Sequence, residues 1–139
     1  MMIIASGKPK IWDKEPTIGT VSANQAYIGT FHRLCQAYAQ KFDSDYLILS
    51  PYYGFLKPTD LVPHTYDVRF TLKGVNQETI QLAELKKQWL DLTLSESQYV
   101  VLGGKKFQLL LHQIIPQNIL LDFPLDQAGG IGNMQNAAS

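Results

Sequence analysis

The sequence is poor in the residues that would commit it to several common kinds of protein. One cysteine, Cys35, among 139 residues leaves no partner for an internal disulfide and too few thiolates for a zinc ribbon or an iron–sulfur centre. Charged residues make up only 17% of the chain, and 12 Lys+Arg are matched by 12 Asp+Glu. No overall field therefore draws it to DNA, RNA or an anionic membrane. No apolar run approaches the ~20 residues that cross a bilayer. The start, Met1-Met2-Ile3-Ile4-Ala5, lacks the basic flank of a secretory signal. His32, His64 and His112 stand in no HxxxH or HExxH relation, so no metal is expected. Neither a Walker A loop nor a G-x-S-x-G elbow is present. A cytoplasmic location is the resulting expectation.

What is there is patterned. Hydrophobic residues are 45% of the chain, enough for one core, and no linker or repeat divides it, so residues 1–139 read as a single domain. Short continuous apolar runs at 2–5, 46–49, 99–102 and 119–121 suit strands buried on both faces. Ser22, with Gln25 three residues on, has the form of a capping box. Tyr27, Phe31, Leu34, Tyr38 and Phe42 follow at helical spacing, predicting one helix from Ser22 to about Lys41. Leu82, Leu85, Trp89 and Leu92 mark a second helix. Phe107, Leu110, Leu111 and Ile114 mark a third, stopped by Pro116. Residues 52–63 read as a proline-interrupted loop. Residues 67–72 alternate, with Val68, Phe70 and Leu72 on one face, and predict an edge strand. The class expected is α/β: a three-layer fold with a mostly parallel sheet of four or five strands, helices on both faces and right-handed crossovers. The expected order is 2-1-3-4 for the apolar runs, with 67–72 added at an edge.

In such sheets ligands bind beyond the carboxyl ends of the strands, where the order reverses. The segments leaving that edge are Ser6-Gly7-Lys8, Ser50 through Gly54, Gly103-Gly104-Lys105 and Pro124 through Gly132. Glycine lets backbone approach a ligand, and amides at a helix start favour an anion. Half of the 12 Lys+Arg fall after strands: Lys8, Lys10, Lys14, Lys57, Lys105 and Lys106. A neutral chain can thus present one positive face. The plain alternative for each segment is turn chemistry with solvated lysines. Gly129-Gly130-Ile131-Gly132 is no Rossmann fingerprint, lying at the end of the chain with no βαβ unit after it, so no dinucleotide cofactor is expected. Asp13 suits a general base and Trp12 a stacking platform; a turn aspartate and a loop anchor are the alternatives. Tyr52 and Tyr53 either line a pocket or sit buried under a loop. Asp60 either binds a ligand hydroxyl or caps a turn, and Cys35 reads as packing.

The chain resembles a family of small uncharacterised bacterial, archaeal and phage proteins, a domain of unknown function. The likeness rests on Ser6-Gly7-Lys8 with Ile11-Trp12-Asp13, Ala26-Tyr27-Ile28-Gly29-Thr30-Phe31, and Ile48-Leu49-Ser50. It continues in Tyr53-Gly54-Phe55-Leu56-Lys57-Pro58 with Asp60, Pro63 and Tyr66, then Leu102-Gly103-Gly104, Phe123-Pro124-Leu125 and Gly130-Ile131-Gly132. The stretch from Leu49 to Asp60 is also similar to the "LSGLYGLLRPLD" run of the peroxide-stress YaaA family, whose members are longer and linked to DNA binding. A related domain is similar to uracil-DNA glycosylases. That resemblance implies a water-activating aspartate after the first strand, where Asp13 stands. The glycosylase's histidine-serine-proline run is absent, and Phe123-Pro124-Leu125 occupies its place.

The expected function is binding of a nucleotide, nucleobase or other phosphorylated ligand at the carboxyl edge, with N-glycoside hydrolysis through Asp13 as its enzymatic form. The ligand-binding set expected is Ser6, Gly7, Lys8, Trp12, Ser50, Tyr53, Gly54, Asp60, Gly103, Gly104, Lys105, Gly130 and Gly132. The alternative is a non-enzymatic nucleic-acid or stress-response module of the YaaA kind, which the neutral charge does not favour.

Overall fold

A computed structural model describes residues 1–42 and 45–124. A five-stranded sheet carries the fold. Its strands are β1 (Met2–Ala5), β3 (Tyr46–Ser50), β4 (Gly54–Leu56), β6 (Gln98–Leu102) and β7 (Leu120–Asp122), in the order β4-β3-β1-β6-β7. The pairs β3–β1, β1–β6 and β6–β7 are parallel, and β4 runs antiparallel to β3. Two short strands, β2 (Val21–Ser22) and β5 (Leu61–Val62), pair separately. Helices α1 (Ala23–Ala26), α2 (Thr30–Phe42), α3 (Leu82–Asp91) and α4 (Lys105–Ile114), with a 3-10 turn over Ile11–Asp13, complete the described elements.

The central runs are apolar throughout because alternate side chains feed two cores. Ile4, Tyr46, Ile48 and Leu102 pack with Ala26, Cys35 and Ala39 of α1 and α2. Ile3, Leu47, Leu49, Tyr99 and Val101 pack with Leu85, Trp89, Leu110 and Leu111 of α3 and α4. This is the two-faced burial that parallel strands demand.

Three expectations are corrected. The sheet order differs from the expected one in its fifth strand. Residues 67–72 do not pair into the sheet, and Gly54–Leu56 takes the edge beside β3. The alternation in 67–72 falls on a loop that buries Phe70 and ends in a turn leaving Leu72 64% exposed; its one pairing is the tight Thr71–Gly74 bridge. The helix expected from Ser22 to Lys41 is two helices. Tyr27 is extended and bridges to Lys10, while the Ile28 N–H donates to the Pro9 carbonyl at 3.1 Å. At Gly29 an added Cβ would lie 3.3 Å from the Pro9 ring, so the chain gives up helical bonds there to pair with the segment leaving β1. Finally, β7 is an edge strand, and Leu120 is 64% exposed rather than buried.

Candidate functional site

The site is built where β1, β3 and β6 end. Beyond Ala5, the buried Ser6 still donates its N–H to the Leu49 carbonyl at 3.1 Å. Gly7 then turns the chain in the left-handed region, at φ +82°, which a residue with a Cβ rarely adopts. The chain returns at Lys10, whose N–H donates to the Asp13 carboxylate at 2.9 Å. Trp12 pins the next loop by donating its indole N–H to the Gly19 carbonyl at 2.9 Å. These bonds turn the Lys10 side chain inward. Only 4% of Lys10 is exposed, its Nζ donates to the Lys8 carbonyl at 2.9 Å, and it sits 4.3 Å from the centre of the Tyr66 ring.

A cavity of about 250 Å³ opens between these residues and the start of α4. Ser6, Gly7, Lys8 and Lys10 form one wall. Gly104, Lys106 and Phe107 form another, with Phe31 of α2 and Pro51 between them. Asp67, Val68, Arg69 and Phe70 complete the lining. Four cations thus share the cavity with one carboxylate among the described residues. Among the described residues, no carboxylate lies within 4.0 Å of Lys8, Lys10, Arg69 or Lys106. Burial holds the Lys10 amine below the usual lysine range. Lys8 and Arg69 push the same way, while Asp13 and Asp67 oppose.

Behind the cavity lie two buried polar groups. His32 faces the Ala5 carbonyl through Nδ1 at 2.8 Å, and the Gln36 carboxamide donates to its Nε2 at 2.6 Å. Both contacts are satisfied by a neutral ring protonated on Nδ1. Burial, the largest cause, lowers the His32 pKa. The unfolded chain therefore takes up a proton near pH 6.5 that the folded chain refuses, and stability contributed by His32 is full above that pH and falls below it. His32→Gln should flatten the loss of stability between about pH 6.5 and 5 by up to ~1.4 kcal/mol per pH unit, measured by urea denaturation across the range. An unchanged slope would show that His32 is not held neutral.

The second group is a hydroxyl chain. Ser50 Oγ accepts from the Tyr52 and Tyr53 amides at 3.1 and 3.0 Å and donates to the Tyr66 hydroxyl at 2.7 Å. Tyr66 is 2.7 Å from the Tyr27 hydroxyl. Burial raises the pKa of both tyrosines. Tyr52 stacks on Tyr66 with ring centres 5.2 Å apart.

Of the expected ligand residues, Ser6, Gly7, Lys8 and Gly104 come together on the cavity. Gly103 lies beneath it; an added Cβ would meet Phe107 at 3.2 Å and Ala5 at 3.3 Å. Lys105 begins α4 but does not line the cavity. Ser50 and Tyr53 belong to the tyrosine cluster, where the Tyr53 hydroxyl donates to the His64 carbonyl at 3.0 Å. Asp60 accepts the Lys57 N–H at 2.8 Å and closes a turn, and Gly54 opens β4. The Asp13 carboxylate turns back onto the Lys10 amide and is not on the cavity wall, nor is Trp12. Gly130 and Gly132 lie outside the described residues. Sequence reasoning missed Phe31, Phe107 and residues 67–70 as lining. The one signal in the sequence is the apolar–charged alternation in 67–70, a pattern that an edge strand shares.

A model of a family of unknown function, DUF6884, matches residues 13–136. The chain belongs to that family. The DUF6884 stretch includes Phe31, residues 67–70, Gly104 and Lys106 of the cavity. A Bacillus subtilis (strain 168) protein titled "Uncharacterized protein YfjM" is 40% identical over 139 residues, covering 99% of this chain and 91% of that protein. Among the described residues, no group of three or more His, Cys, Asp or Glu side chains is placed to hold a metal ion. No helix among them is long and apolar enough to cross a membrane.

Proposed function

We propose that this chain binds a phosphorylated small molecule, a nucleotide or smaller, in the cavity at the carboxyl edge of the sheet. The observation that carries the reading is the convergence of Lys8, Lys10, Arg69 and Lys106 on one cavity where, among the described residues, Asp67 is the only carboxylate. Cations without partner carboxylates are held together at an electrostatic cost that a bound polyanion removes. The start of α4 beside Gly104 adds the positive end of a helix. Phe31, Phe70 and Phe107 supply apolar wall for a ring or sugar. Binding, rather than hydrolysis, is the form proposed, because the Asp13 carboxylate is engaged by the Lys10 amide.

The test is calorimetric titration with inorganic phosphate, nucleoside monophosphates and their unphosphorylated nucleosides. Phosphorylated members should bind more tightly, with an affinity that falls as salt rises. Lys106→Ala should weaken binding by about tenfold, the worth of one charged hydrogen bond, at a nearly unchanged melting temperature. Equal affinity for nucleosides and their phosphates, or a Lys106→Ala variant that binds like the parent, would sink the reading.

A further inference from the structure

We propose that Lys10 is a covalent-binding lysine: its amine condenses reversibly with the carbonyl carbon of a phosphorylated aldehyde or ketone held in the cavity. The proposal rests on the anion-binding reading above and names the class of ligand. Three features of Lys10 carry it. Lys10 is buried yet lines the cavity. It is fixed, with one hydrogen donated to the Lys8 carbonyl and the Tyr66 ring 4.3 Å away. No described carboxylate pairs with it, and other cations share its cavity. A desolvated lysine beside cations is the kind that loses its proton and becomes a nucleophile. The lowered pKa of Lys10, caused first by burial and opposed by Asp13 and Asp67, agrees in direction. Lys8, Arg69 and Lys106 would hold the phosphate of the same molecule and so fix its carbonyl near the amine.

The step balances without a redox partner. The amine lone pair forms the C–N bond as the carbonyl π pair moves to oxygen, and one proton passes from nitrogen to that oxygen. The resulting carbinolamine then loses water to give the C=N bond, and addition of water reverses it. Asp67, the carboxylate in the cavity, is the group placed to relay these protons.

Pyridoxal 5′-phosphate, a phosphorylated aldehyde, is the test ligand. The full chain is incubated with it, reduced with borohydride, digested and mapped by mass spectrometry, with phosphate binding measured in parallel. A phosphopyridoxyl group should appear at Lys10, saturate with concentration and fall about tenfold under excess inorganic phosphate acting as a competing anion. Lys10→Arg keeps the charge and removes the nucleophile, so it should take up no group at position 10 or elsewhere in the cavity. Should that variant fail to fold, the map of the parent chain decides. Label on exposed lysines such as Lys14 and Lys86 with Lys10 unmodified, while phosphate still binds, overturns the imine and leaves the anion site standing. Failure of the parent chain to bind phosphate overturns both.

Discussion

Gly54→Ala should cost the fold about 3–5 kcal/mol, roughly a fifth or more of the net stability of an ordinary domain. Gly54 starts β4 with φ +81°, where an L side chain is strained by ~1 kcal/mol or more. An added Cβ would also stand 2.1 Å from Gln88 Oε1 and 2.8 Å from Ile80 Cδ1. The Gln88 carboxamide cannot simply swing away. Its oxygen accepts the Phe55 N–H at 2.9 Å and its nitrogen donates to the Tyr53 carbonyl at 3.0 Å. Displacing it leaves two backbone groups short of partners, at ~1–3 kcal/mol for each that stays buried. Thermal unfolding should show a midpoint lowered by roughly 10–20 °C. A loss below about 1 kcal/mol would mean that Gln88 and Ile80 relax freely and that the clip adds little.

Trp89→Ala is expected to cost a similar amount, about 3–5 kcal/mol, by leaving a cavity. Trp89 is 7% exposed and holds α3 to the sheet. Its ring lies 5.5 Å from that of Phe55 on β4 and 5.2 Å from that of Tyr99 on β6. The urea midpoint should fall with an unchanged slope, and phosphate affinity should stay within about twofold, because no residue of this seam lines the candidate site. Retention of parental stability would show that α3 is anchored by Leu85 and its neighbours alone. Since Gly54 and Trp89 act on one seam between α3 and β4, the double variant should lose less than the sum of the two.

The parts of the fold legible in the sequence were those decided by burial on both faces. The runs containing Ile3, Leu47 and Val101 read as strands because only a two-sided core requires continuous apolar residues. What escaped was decided by tertiary pairing. Gly54–Leu56 is three residues long, too short for periodicity to register, and its edge position is completed by Gln88, 33 residues after Phe55. The break at Tyr27–Gly29 follows from contact with Pro9 and Lys10, which no local propensity encodes. The same holds for the site. Ser6, Gly7, Lys8 and Gly104 follow apolar strands and could be placed at the carboxyl edge by topology. Lys10 read as one basic residue among six, because its inward turn depends on Asp13, Trp12 and Tyr66. Residues 67–70 line the cavity as chain outside the sheet, which alternation alone could not distinguish from a strand.

The Gln88 carboxamide bears on how the molecule meets copies of itself. A sheet ends in rows of unpaired amides and carbonyls that invite a further strand from another chain, and exposed edges are usually guarded by charge, proline or a bulge. With charged residues at only 17%, this chain guards the β4 edge differently. One side-chain amide offers the donor and acceptor that a neighbouring strand would bring, and α3 carries it into place. Gln88→Leu keeps the bulk but removes both polar groups, reopening that edge to strand addition, so concentration-dependent association should follow that substitution before any loss of helix does.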